Sequence, residues 1–150
     1  MSTSRILALE IALTITALEF FGPILRDFSA SHAMNPTWDG HARVHLVWLL
    51  GFMFFSGIAN LYLIWWRRPF ELRNLRLSAT WQSCNLGGFW AAYLLSPVYG
   101  GVMSVPGIHT HILGIDENVF VFMLLSIVMG AVWLVLGFRS GPEESLRAAV

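Results

Sequence analysis

Four long apolar segments dominate this chain of 150 residues. They cover residues 4–25, 44–66, 77–96 and 119–138, and a helix needs roughly 20 such residues to cross a hydrocarbon core of about 30 Å. Hydrophobic residues make up 56% of the chain and charged residues only 12%. We therefore predict an all-α membrane protein, a single domain built as a four-transmembrane-helix bundle.

The first segment contains Glu10 and Glu19 and has no small-residue cleavage site, which favours a retained span over a secretory signal. Pro23 and Pro97 are expected to end the first and third spans.

The arginines predict the orientation of these helices. Seven of the nine basic residues fall on one side of the predicted bundle, and the other side has only Arg26 and Arg43. The positive-inside rule then places both termini in the cytoplasm, in keeping with a bacterial inner membrane protein. The formal net charge is zero, so no overall field would attract nucleic acid.

Glu19 is an unusual residue for a predicted span, since a carboxylate inside the bilayer costs free energy and normally faces a partner or a wet cavity. Arg26 and Arg43 are candidate structural partners. A role as proton donor or acceptor inside a pocket is the functional alternative.

The third span carries a cluster of polar and small residues. One interpretation is helix packing, with Gln82, Ser83 and Asn85 hydrogen-bonding across helices while the two glycines at 87 and 88 allow close approach. The alternative is that Asn85 lines a buried ligand pocket. Asn60 is expected to join helices, and Cys84 is expected to be a small core residue.

All five histidines fall on the predicted outer side of the membrane. His41 and His45 stand four residues apart at the start of the second span, a spacing that places both on one face of a helix. They could ligate one metal, or one alone could be an axial haem ligand, or both could be solvated or capping residues. Asp116 is a candidate N-cap for the fourth span.

Two stretches resemble the styrene oxide isomerases, four-helix membrane proteins that convert aryl epoxides to aldehydes. The first is Ala42-Arg43-Val44-His45, and the second joins Trp81, Asn85 and the following Gly to Ser96-Pro97. The resemblance implies a homotrimer that holds haem b between subunits, with His45 as the axial ligand and with Arg43 and His41 beside it. The open face of the ferric iron would act as a Lewis acid on the oxygen of a small lipophilic epoxide.

The same resemblance implies where the substrate would lie. Asn85, Glu19 and Trp90 are the candidate catalytic residues, within a dry aromatic site that suits a cationic intermediate. The chain departs from the family pattern at three points. Gly51 stands where the family has an Asn, Phe89 or Trp90 where it has a Tyr, and His41 where it has a Trp. A relative with a changed pocket is therefore expected.

Two other functions fit the sequence. One is a cofactor-free acid/base isomerase, similar in layout to the emopamil-binding sterol isomerases, in which Glu19 and His41 or His45 would move the proton. The other is a site for a metal ion without haem, formed by His41 and His45 with further ligands from Asp39, Glu19, His109 or His111. A non-enzymatic assembly or transport subunit is a further alternative.

Overall fold

The computed structural model describes residues 1–103 and 110–137, and most of these residues are helical. The elements, in chain order, are α1 (Thr3–Ala17), a 3₁₀ turn (Leu18–Phe20), α2 (Gly22–Asp27), α3 (Gly40–Leu61), a π-helical turn (Tyr62–Trp66), α4 (Leu72–Tyr99), the two-residue strands β1 (His111–Ile112) and β2 (Ile115–Asp116), and α5 (Glu117–Gly137). The end of the fourth predicted span, residue 138, and the arginines at 139 and 147 lie outside the described residues.

Three helical stretches in the described part of the chain are long and apolar enough to cross a membrane. They are Thr3–Asp27, Gly40–Trp66 and Glu117–Gly137. Helix α4 is long enough, at 28 residues, but it is not one of the three. The composition of the helices thus supports a membrane protein.

The polar residues of α4 point into the bundle. Asn74, Ser78 and Gln82 recur every four residues on one helix face, and all three are buried. The amide nitrogen of Gln82 donates to the carbonyl of Leu13 in α1 over 3.1 Å, and the Ser78 hydroxyl donates to the side-chain oxygen of Asn60 in α3 over 2.7 Å. The predicted role of Gln82 and Asn60 in joining helices is therefore confirmed.

Three hydrogen bonds show that α4 and α5 run antiparallel. Arg76 donates to the carbonyl of Leu136, the indole of Trp133 donates to the Ser83 hydroxyl, and the indole of Trp90 donates to the Ser126 hydroxyl. Residue numbers rise along α4 as they fall along α5. The start of α4 and the end of α5 therefore lie at the same end of the bundle. The bond to Ser83 confirms that this residue also joins helices.

Helix α3 and the residue before α2, Phe21, approach closely at Gly57. A Cβ atom there would lie 2.5 Å from the Phe21 ring, so the absence of a side chain is what admits that ring. Gly87 and Gly88 were expected to play this part in α4, and that prediction is wrong: a Cβ atom at either position would meet nothing within 4 Å. The close contact at a glycine occurs instead in α3, between Gly57 and the Phe21 ring.

Pro23 and Pro97 lie within four residues of the helix ends that they were expected to mark, and each helix continues past its proline for a backbone reason. Pro23 lies in the first turn of α2, where its missing N–H would have no helical partner anyway, so the first apolar segment stays helical to Asp27. Pro97 lies inside α4, which ends two residues later where Gly100 takes a left-handed conformation. The cap predicted at Asp116 is confirmed, since its carboxylate accepts from the backbone N–H of Asn118.

Candidate functional site

A cavity of about 780 Å³ opens between α3, α4, α5 and the segment around α2. Its walls are mostly apolar and aromatic. Phe89 of α4 and Phe122 of α5 stack with their ring centroids 3.8 Å apart on one wall, and Phe52 of α3 and Trp81 of α4 also line the space. Such a cavity is large enough for a small lipophilic molecule and would exclude water from most of it.

Asn85 and Glu19 are the polar pair nearest the apolar part of this cavity. Asn85 lines it, as does Phe20, the residue after Glu19. Glu19 itself is only 3% exposed, and neither of its carboxylate oxygens has a hydrogen-bond partner in the described part of the chain. The Asn85 side chain lies near that carboxylate, but without the geometry of a normal hydrogen bond. The predicted pocket role of Asn85 is therefore compatible with its position.

The structural partners expected for Glu19 are not found. Arg26 instead pairs with Glu117 of α5, with 2.5 Å between the guanidinium Nη2 and a carboxylate oxygen. Arg43 has a buried Nε atom that has no hydrogen-bond partner among the described residues. Within the described parts of the chain, Glu19 is thus a buried carboxyl group without a cationic partner, and its burial in the charged form lowers the stability of the fold.

The outer mouth of the cavity is polar. Arg26, Asp27, His32 and Asn118 line it, and His32 lies 3.9 Å from an Asp27 oxygen. The ring of Trp38 packs edge-on to His32 and also lines the cavity. Thus the segment that precedes α3 forms part of the site wall.

His41 and His45 share one face of α3, as their spacing predicts. Their Nε2 atoms are 3.0 Å apart, and both side chains are exposed. Asp39 caps the helix by accepting from the His41 backbone N–H, so it does not approach the imidazoles as a third ligand. The His45 ring stacks on Trp48, with centroids 6.1 Å apart.

The histidine pair stands beside the cavity and not inside it. At about 100° per residue, positions 45, 49 and 52 fall within roughly 60° of one another around the helix axis. Leu49 and Phe52 line the cavity, and both are more than half exposed. Leu49 and Phe52 form a stripe on α3 where the cavity opens to the outside of the bundle. His45 lies on the same stripe, closer to the start of α3.

Trp90 is not part of the cavity wall. Its indole N–H donates to the Ser126 hydroxyl over 2.9 Å, and its ring packs edge-on against Phe89. It can support the position of Phe89, which does line the cavity. Of the two residues that could replace the Tyr of the related pattern, Phe89 is the one that faces the site.

Cys84 was expected in the core, and this prediction is wrong: its side chain is exposed and lines the cavity. It follows Ser83, which bonds to α5, so the helix turns it toward the open side. Gly88 lines the cavity one turn further on. Cys84 and Gly88 thus leave space for the cavity and do not bring helices together.

The described residues contain no group of three or more His, Cys, Asp or Glu side chains that could hold a metal ion. His111 lies in the short hairpin before α5, whereas His109 lies outside the described residues. His32, Trp38 and Phe122 were not singled out as site residues. The only signal for them was the position of the first two in a loop beside predicted helix ends.

Comparison with known proteins gives no match for this chain among family models, curated proteins or solved structures.

Proposed function

We propose that this chain is a membrane-embedded isomerase that converts a small lipophilic epoxide, or a related oxygenated compound, to a carbonyl compound with the help of haem b. The observation that carries the proposal is the aromatic cavity that contains Asn85, adjoins the buried Glu19, and opens along the α3 stripe that continues to His45. An apolar space with one amide and one carboxyl group suits a substrate with a single oxygen function.

The side chains in the first turns of α3 are suited to bind haem. An exposed imidazole, His45, stands in an apolar surface where Val44 is 63% and Trp48 is 70% exposed. Arg43 supplies a guanidinium whose buried Nε lacks a partner within the described chain, and guanidinium groups bind carboxylates such as haem propionates. His41 would have to release the Nε2 atom of His45.

One copy of the chain offers only one face to such a flat cofactor. We therefore include in the proposal a homo-oligomer, with three copies as the resemblance to styrene oxide isomerases implies. The exposed aromatic face of α3 would be covered by the neighbouring copy.

The chemistry divides between the cofactor and the chain. When bound, haem supplies a Lewis-acidic iron, which polarises a carbon–oxygen bond of the epoxide. The rearrangement then breaks one C–O bond, moves a hydrogen with its electron pair to the cationic carbon, and leaves a C=O group, without gain or loss of atoms. Asn85 orients the substrate oxygen by donating its amide hydrogens. Phe89 and Phe122 exclude water and present ring faces to the cationic carbon.

The proposal includes four membrane spans, with α4 as the third. Its low apolar content is explained by the inward direction of Asn74, Ser78 and Gln82. The side-chain hydrogen bonds of Ser78 and Gln82 are made within the bundle. With four spans, the arginine distribution places both termini in the cytoplasm of a bacterial cell. Reporter fusions after residues 70 and 150 would be expected to give the cytoplasmic signal.

An acid/base double-bond isomerase is the second candidate, and the buried Glu19 favours it. A carboxyl group with no partner in the described structure, next to an apolar cavity, is a plausible proton donor and acceptor. In that reaction the carboxyl group would protonate one carbon of the double bond and remove a proton from another. This chemistry needs no haem and no His45.

The experiment that separates the two is an absorption spectrum of the detergent-purified protein, expressed with a haem supply, beside His45→Ala and the matched His41→Ala variant. A Soret band in the wild type and in His41→Ala, but not in His45→Ala, is the expected result. The haem-loaded protein is then tested on lipophilic epoxides by mass spectrometry of the carbonyl product. Absence of the band from all three proteins would refute the haem function, and activity that depends on Glu19 alone would then support the second candidate.

A further inference from the structure

A second cavity, of about 740 Å³, lies between α1 and α5, on a part of the bundle that takes no part in the candidate site. Among the described residues that line it, Arg5 has the one charged side chain, Met1 adds the N-terminal amine, and the other side chains are apolar. Leu9 of α1 and Val132 of α5 are almost fully buried and form its floor. The cavity is therefore a groove between two helices that are apolar enough to span a membrane.

Small side chains keep the groove open. Ala8 and Ala12 stand one turn apart on α1, and Ala131 lines the groove from α5. The outer rim is exposed, with Ile127 at 63%. In a bilayer, an open apolar groove at this position would face lipid tails.

Arg5 gives the groove a direction. It is exposed and lies in no ion pair with the described residues, at the end of the groove where α1 begins. A second guanidinium, that of Arg76, reaches the carbonyl of Leu136, the residue after Val135 of the groove wall. One end of the groove is thus cationic and the rest is apolar.

We propose that this groove binds an anionic phospholipid, with an acyl chain between α1 and α5 and the phosphate on Arg5. A guanidinium binds phosphate through paired hydrogen bonds, and basic pockets between membrane helices recognise anionic head groups. A molecule with one anionic end and an apolar tail matches the charge at one end and the apolar wall along the rest. The site is independent of the isomerase proposal, because none of its residues lines the aromatic cavity.

Native mass spectrometry of the detergent-solubilised full chain tests the proposal, with titrations of phosphatidylglycerol and phosphatidylcholine that carry identical acyl chains. The wild type is expected to bind the anionic lipid about fivefold more tightly, which is the effect of one basic group beside an anionic lipid. Arg5→Gln should abolish this preference. Arg67→Gln, an exposed arginine outside the groove, should keep it.

A second pair of variants tests the apolar wall. Ala8→Phe would fill the groove and weaken binding of both lipids, whereas Leu7→Phe, on an exposed position outside the groove, should leave both unchanged. Equal affinities for the two lipids in the wild type would overturn the proposal, as would equal losses in Arg5→Gln and Arg67→Gln. A chain dimer that Ala8→Phe dissociates would also overturn it, because the groove would then hold a second copy.

Discussion

Gln82→Leu is expected to lower the free energy of unfolding of the bundle by about 2 kcal/mol. The Gln82 amide nitrogen donates to the Leu13 carbonyl over 3.1 Å and to the Ser78 hydroxyl over 3.0 Å, and its oxygen accepts from the Thr16 hydroxyl. Two of these bonds join α4 to α1, and hydrogen bonds between membrane helices contribute about 0.6 kcal/mol each on average. The third lies within α4 and adds about as much, so the expected loss is about 2 kcal/mol. Leucine has a similar volume, so little cavity cost is added.

The loss should not be much larger, because the partners keep other bonds. The Ser78 hydroxyl still donates to Asn60, and the Thr16 hydroxyl still reaches the carbonyls of Ala12 and Leu13 at 3.2 Å. A substitution that leaves buried polar atoms without partners would cost more. Thr80→Val is the matched control on α4, because Thr80 is exposed and its hydroxyl bonds only to a carbonyl of its own helix.

The assay is a titration of the protein from mild detergent micelles into sodium dodecyl sulfate, followed by tryptophan fluorescence and helical circular dichroism. The expected pattern is a loss of about 2 kcal/mol for Gln82→Leu and less than about 0.5 kcal/mol for Thr80→Val. An unchanged or higher stability of Gln82→Leu would refute the reasoning, since the contact between α1 and α4 would then not depend on this side chain.

Two other predictions concern the cavity. Glu19→Met should raise the free energy of unfolding by about 1 to 3 kcal/mol in the same titration, because it removes a buried carboxylate that has no partner among the described residues. The same variant should have lower activity. A variant less stable than the wild type would contradict this prediction. Cys84, the single cysteine, should react with a membrane-permeable maleimide, and Gly88→Leu should slow the labelling because Gly88 lines the cavity. Gly87→Leu is the control, since Gly87 is outside the cavity wall, and equal labelling of both variants would contradict the cavity position of Cys84.

Features set by local chemistry could be predicted from the sequence. The histidine pair of α3 follows from helical spacing alone, and the Asp116 cap follows from the preference of carboxylates for free N–H groups. The role of Gln82 as a helix contact is predictable because an unpaired amide is costly in lipid. The pair and the cap each depend on one helix, and the Gln82 prediction requires only that some neighbouring helix offers a partner.

Features that depend on which helices are neighbours could not be predicted. The residue that pairs with Arg26 is 91 positions away in the sequence, and no spacing rule connects the two. Whether the small residues Cys84 and Gly88 pack against a helix or border a cavity depends on the volume of the facing side chains.

The contacts between α1 and α4 link the stability of the bundle to the site. Thr16 of α1 meets Gln82 of α4, and three residues further along both segments Glu19, in the 3₁₀ turn that follows α1, lies near Asn85. The two helices therefore run in the same direction and in register, since equal steps along each lead from one contact to the next. The hydrogen bonds at Gln82 fix the position of α1 along the axis of α4. That axial position determines whether the Glu19 carboxyl lies beside the Asn85 amide. Substitutions at Gln82 should thus loosen the site as well as the fold, although Gln82 does not line the cavity.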